Sequence, residues 1–161
     1  HGGVLIEIGS PRQLYTRPKR RFTATFLGLT NLIEGKVLDV DGNSRPGKLA
    51  TKKGVLTFIP ATPLKKDQAA VISIRPENIP LYKDKPANMD NVLEGTVTEA
   101  IFMGDAYQCK VAVGDDIIAV HTHPFNSVNP GDKVYLHLDP GSCNGLPADD
   151  KEGIDETMLG D

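Results

Sequence analysis

The sequence predicts a mainly β protein of two small barrel-like lobes, preceded by a strand and two short helices. Three observations carry this. Glycine (16) and proline (12) make up about one residue in six of the 161, and there is no tryptophan. That composition suits short strands joined by turns better than long helices. A stretch also recurs: Asn31-Leu32-Ile33-Glu34-Gly35-Lys36-Val37 resembles Asn91-Val92-Leu93-Glu94-Gly95-Thr96-Val97, and Ala70-Val71-Ile72-Ser73-Ile74-Arg75-Pro76 resembles Val134-Tyr135-Leu136-His137-Leu138-Asp139-Pro140. Finally, each copy opens with a long strand holding an internal glycine and closes with a strand ended by proline. A glycine inside a strand marks a bulge or bend, which a small barrel needs at its corners.

Taken in order, Val4–Ile8 reads as a short strand between glycines. Ser10-Pro11-Arg12-Gln13 reads as a helix start, with Ser10 as cap, Pro11 in the first position and Gln13 completing a capping box. Arg17-Pro18 ends that helix, because the residue before proline avoids the α region. Pro18 opens a second helix on which Phe22, Phe26 and Leu29 form one apolar stripe, with Gly28 near its C-terminal cap. Residues 1–30 are too few to bury these surfaces alone and call for a partner surface. From Asn31 the pattern alternates as strands do. Turn signals fall at Asp41-Gly42-Asn43, Lys53-Gly54, Gly114-Asp115-Asp116 and Asn129-Pro130-Gly131-Asp132. Residues 31–141 are thus expected to form two OB-like lobes, with repeats starting near 31 and 91. Leu32, Val37, Ile72 and Ile74 are expected to line one core, and Leu93, Val97, Leu136 and Leu138 the other. Residues 142–161, rich in acids and glycine, bury too little to offset the entropy of ordering them, so an acidic flexible tail is expected there.

Lys plus Arg is 18 and Asp plus Glu is 21, for a net charge of −3. A chain so near neutrality has no general attraction for nucleic acid or anionic lipid. No apolar run approaches the ~18 residues of a membrane span. The start, His1-Gly2-Gly3-Val4, has neither an initiator methionine nor the basic opening of a secretory signal, and reads as the start of a fragment. Two cysteines, Cys109 and Cys143, make neither a disulfide scaffold nor a structural zinc site, and reduced thiols are expected. Cys109 sits in the alternating run Tyr107, Cys109, Val111, Val113 and should face a core.

Here a resemblance enters. Gly9-Ser10-Pro11, Leu14-Tyr15, Pro18, Phe22, Phe26-Leu27-Gly28 and Asn31 resemble the junction that follows the nucleotide-binding domain in ATP-binding subunits of bacterial ABC importers. Ser73-Ile74-Arg75-Pro76-Glu77, Glu94-Gly95-Thr96-Val97, Phe102-Met103-Gly104, Tyr107 and Pro130-Gly131-Asp132-Lys133-Val134 resemble that family's transport-associated OB (TOBE) module. The likeness runs from about Gly2 to Pro140 and leans towards the polyamine and iron branch, with sugar importers the next relatives. It implies an accessory and regulatory region that supports dimerisation of the ATPase. The implied partners are a second copy, the nucleotide-binding domain upstream of residues 1–30 and the transporter's membrane subunits at the inner face of the cell membrane. No G-x-x-x-x-G-K-[ST] motif occurs. ATP and magnesium are therefore expected to belong to the upstream domain, with no cofactor, metal or catalytic residue in this chain.

Several single constellations have plainer readings. His121 and His123 share one side of a strand but lack the further ligands that a metal needs. Asp115-Asp116 fits turn geometry better than acid–base catalysis. Arg75 and Glu77 either pair locally at a strand end or bridge lobes or subunits. With Tyr15, Phe22 and Phe26 they form the candidate lobe or subunit interface. Two other classes stay open. An OB-type single-strand binder would need a basic groove with stacking aromatics, and no nucleic-acid partner is expected. An oxyanion-binding module would resemble molybdate-type relatives, which carry a Ser-Ala-Arg-Asn-like element where this chain has Ser73-Ile74-Arg75-Pro76.

Overall fold

The structure is a computed structural model and describes residues 9–41 and 45–149. The expected strand Val4–Ile8 lies outside the described residues. The first repeat supplies β1 (Asn31–Asp39), β2 (Gly47–Thr51), β3 (Gly54–Pro60), β4 (Ala69–Ile74), a 3-10 turn at Pro76–Asn78 and β5 (Leu81–Tyr82). The second repeat supplies β6 (Val92–Phe102), β7 (Tyr107–Val113), β8 (Asp116–Thr122), β9 (Lys133–His137), a 3-10 turn at Pro140–Ser142 and β10 (Asn144–Pro147). One lobe is a closed barrel in the order β1-β2-β3-β10-β4, and the other is a five-stranded sheet in the order β5-β9-β6-β7-β8. The fold is mainly β and OB-like, as expected.

The internal glycines explain how one strand serves two neighbours. β1 pairs with β4 through Asn31–Lys36 and with β2 from Gly35 onward, and a bulge follows between Val37 and Asp39. β6 repeats this with β9, then β7, with its bulge between Val97 and Glu99. A Cβ on Gly35 would lie 2.4 Å from the Ala50 carbonyl oxygen, and one on Gly95 2.6 Å from Val111 Cγ1. No side chain fits where the strand turns the corner.

The lobes exchange strands. β10, from the second repeat, lies antiparallel to β4 and parallel to β3 and closes the first barrel. β5, from the first repeat, pairs with β9 in the second sheet. The registers correspond: Leu81 faces Leu136, and Gly145 faces Ile72. This corrects the expectation of a flexible tail from Ser142. Cys143, Asn144, Gly145 and Leu146 are buried. The segment is poor in bulky residues because its order comes from backbone pairing on both sides. The ring of Phe58 fills the space at Gly145, where a Cβ would meet it at 2.3 Å. Residues 150–161 lie outside the described residues.

Nor are there two separate cores. Val37, Leu49, Phe58, Ile72 and Ile74 join Leu93, Val97, Val111, Leu136 and Leu138 in one buried cluster running through both lobes. Leu32 is the misplaced residue. Ile33 and Val37 face inward, so the alternation turns Leu32 outward. There it packs against Ala24, Val71 and Leu146.

α1 (Pro11–Thr16) carries the expected capping box of Ser10 and Gln13 and ends at Arg17. α2 starts later than expected, at Arg21, and stops at Phe26. Its expected apolar stripe is not its buried face. Phe26 and Leu29 are exposed, Phe22 stacks on Phe26 with ring centroids 5.5 Å apart, and Thr23 and Ala24 are buried instead. Small residues let the short helix approach the sheet closely over Val71 and Leu146. Among the described residues no helix is long and apolar enough to cross a membrane.

Candidate functional site

Arg75 sits between the helical segment and the β body. Its backbone follows the end of β4 and caps the 3-10 turn, and its side chain runs back under α1 and α2, leaving the residue 4% exposed. Nη1 donates to the carbonyls of Ala24 (2.9 Å), Gly28 (3.0 Å) and Leu29 (3.2 Å), and Nη2 donates to the carbonyl of Tyr15 (3.2 Å). Carbonyls at a helix C-terminus lack intrahelical donors and carry partial negative charge, so a guanidinium fits them in geometry and sign. The group also stacks on the Tyr15 ring, 4.2 Å from its centroid. Tyr15 in turn donates from its hydroxyl to Glu77 Oε2 at 2.5 Å. Burial lowers the pKa of Arg75 from its ordinary value, and Tyr15 and Glu77 oppose that shift. The hydrogen bond to Glu77 raises the pKa of the Tyr15 phenol.

The C-terminal strand reinforces the attachment. Asn144 Nδ2 donates to the Pro18 carbonyl (2.7 Å), Arg17 Nη2 to the Gly141 carbonyl (2.8 Å) and Arg21 Nη1 to the Ala148 carbonyl (3.0 Å). The two short helices are thus tied to the first barrel from both sides.

The lobes are joined by two side-chain amides. Asn31 exchanges a pair of hydrogen bonds with the backbone N–H and carbonyl of Ala119, both at 2.8 Å. Asn91 does the same with Thr57, at 2.9 and 2.7 Å. Beside the first of these joints lies a cleft of about 430 Å³, walled by residues 29–34 and 116–119 and edged by Lys52, Lys53 and Lys110. Lys53, nearly buried, pairs with Asp116 across the lobes. Thr30 and Ser73 share a hydroxyl–hydroxyl contact of 2.7 Å on the β1 side.

Of the residues singled out in the sequence, the structure brings Arg75, Tyr15 and Glu77 together. Phe22 and Phe26 stack on each other. His123 Nδ1 accepts from the Phe125 N–H, and His121 lies on β8. The nearest approach to a phosphate loop, Gly42 to Lys48, is followed by Leu49 rather than Ser or Thr, and Gly47 and Lys48 begin a strand instead of a helix. The sequence pattern discloses neither the reciprocal amides nor the Lys53–Asp116 pair. Asn31 and Asn91 head the repeats, and a polar side chain at or just before the start of a buried strand is the available signal.

Comparison with known proteins places these features. Residues 72–146 match the family model described as the TOBE domain. The putrescine transport ATP-binding protein PotG of Escherichia coli (strain K12) is 30% identical over 156 residues, covering 88% of this chain and 39% of that protein. The spermidine/putrescine import ATP-binding protein PotA of Trichormus variabilis is 34% identical over 106 residues, covering 63% of this chain and 27% of the relative. PotA of Thermobifida fusca is 30% identical over 150 residues, covering 90% and 38%. The chain thus spans well under half the length of these relatives. Among solved structures, the molybdate-bound cytoplasmic molybdate-binding protein ModG superposes with a TM-score of 0.64 over 73% of this chain and 96% of its own, at 15% identity. That likeness is one of fold. The chain carries a TOBE domain and is, over most of its length, a relative of the ATP-binding subunits of bacterial polyamine importers.

Proposed function

We propose that this chain is the accessory and regulatory region of a polyamine importer's ATP-binding subunit. In this reading it supports dimerisation of the ATPase, lies on the cytoplasmic face of the membrane and works with the membrane subunits. ATP and magnesium are handled outside this chain. The observation that carries the reading is the Arg75 clamp. Residues 9–30 precede the β body, and one guanidinium holds four of their carbonyls. Any shift of the lobes at Arg75 therefore moves the segment leading to whatever lies upstream, which is what a regulatory region requires.

A chimera tests this. The matching region of Escherichia coli PotG is replaced by this chain, with and without Arg75→Ala, and putrescine uptake and ATPase activity are measured. The chimera should transport. The Arg75→Ala form should assemble but lose the coupling of ATPase activity to transport. Unaltered coupling in the Arg75→Ala chimera would contradict the reading.

A second reading is favoured by the cleft between the lobes. Lys52, Lys53 and Lys110 edge it, Thr30 lines it, and the fold neighbour was solved with molybdate bound. A small oxyanion would take donors there. Equilibrium dialysis of the chain against molybdate and sulfate tests it, with saturable binding expected and linear uptake contradicting it.

A further inference from the structure

The two repeats are built as complementary halves, linked by a mostly exposed connection. Each repeat donates its last strand to the other lobe: β5 to β9, and β10 to β4 and β3. Each repeat's opening asparagine bonds the backbone of the other's third strand, Asn31 to Ala119 and Asn91 to Thr57. The 3-10 turn of each repeat packs on the other's third strand, Pro76–Asn78 on β8 and Pro140–Ser142 on β3. The core is continuous between them. Every one of these contacts is between repeats, and none depends on which chain supplies the second one.

The connection is residues 83–90. Lys83, Asp84, Lys85, Ala87, Asn88, Met89 and Asp90 are exposed. Both β5 and β6 run antiparallel to β9, one on either side of it, with Tyr82 and Glu94 both opposite Tyr135. They are therefore parallel to each other. The connection must carry the chain around β9 and back to the start of β6. Asn88 holds a left-handed φ of 58° in doing so. A parallel pair flanking a third strand needs a long connection, while the contacts themselves do not.

We propose that the inter-repeat surface is a site for a second copy of this chain. Two chains exchange repeats, so that β5 and β10 of each complete the lobes of the other. The exchanged dimer keeps every inter-repeat contact of the single chain and differs at residues 83–90, which is why such exchange comes at low cost. This inference stands apart from the transport reading, because it rests on strand pairing alone.

Shortening the connection in the full chain tests it. Deleting Asp84–Met89 leaves only Lys83 and Asp90 of the connection, too few to pass around β9 within one chain. Light scattering should then give twice the mass of the intact chain. Tyr82→Cys with Tyr135→Cys, placed at facing positions of β5 and β9, reads the connectivity. The shortened chain should give disulfide-linked dimers on a non-reducing gel, and the intact dilute chain links within itself. A folded monomeric deletion variant, or a dimer with only internal links, overturns the proposal. If the deletion variant shows no sheet signal by circular dichroism, the double-cysteine intact chain, refolded at high protein concentration, decides. Linked dimers there support exchange, and exclusively internal links overturn it.

Discussion

Asn31 and Asn91 hold equivalent places in the two repeats, and each side-chain amide bonds the backbone of the opposite lobe, Asn31 at Ala119 and Asn91 at Thr57. Each amide acts as a short extra strand, with donor and acceptor both used. Each Nδ2 also donates within its own repeat, Asn31 to the Ile74 carbonyl (3.3 Å) and Asn91, more closely, to the Leu138 carbonyl (2.9 Å), and Asn91 holds a φ of 57°. Replacement by Asp keeps the shape but removes the donor and sets a carboxylate against carbonyl oxygens. Asn91→Asp should cost about 2–3 kcal/mol and Asn31→Asp about 1–2 kcal/mol in urea unfolding, from the desolvated acceptors left unpaired. Equal stability of both variants and the parent would show that the amides do not hold the lobes.

Closure of the first barrel depends on Gly145. Its missing Cβ is the room that the Phe58 ring occupies. Gly145→Ala should lower stability by about 1–3 kcal/mol through overpacking. Phe58→Leu in the same chain should recover part of that loss, because the clash is with the ring. A double-mutant cycle measures the recovery, and strict additivity would mean that β10 does not sit against Phe58.

The repeat, the strand ends and the capped first helix were legible because their signals are local. Gly35 and Gly95 announced corners, and Ser10 with Gln13 announced a cap. β10 was not legible. Asn144 to Pro147 have little apolar surface of their own, and their order comes from pairing with strands more than seventy residues away in sequence. The stripe of Phe22, Phe26 and Leu29 misled for a related reason. Helical spacing says which residues share a face, but the closeness of Thr23 and Ala24 to the sheet decided which face was buried. Within the candidate site, the sequence points to Arg75, Tyr15 and Glu77. The partners of Arg75 are backbone carbonyls, which no side-chain pattern discloses.

Cys143 provides a pH test. The thiol is fully buried, and burial pushes its pKa up to about 12, with the Asn91 amide acting in the other direction. In the unfolded chain the thiol ionises near the ordinary value of 9.0. Above that pH the folded state keeps a proton that the unfolded state has released, so stability falls as pH rises from about 9 towards 12. The expected loss is on the order of 1 kcal/mol between pH 9 and 10. Cys143→Ala should flatten this slope even while lowering stability overall. Parallel slopes in the two proteins would place the effect elsewhere.

The central claim is that Arg75 fastens the helical segment to the β body. Amide hydrogen exchange on the intact chain and on Arg75→Ala tests it most directly. The account predicts that residues 10–29 lose most of their protection in the variant, while β1 to β10 keep theirs. Unchanged protection across residues 10–29 would contradict it.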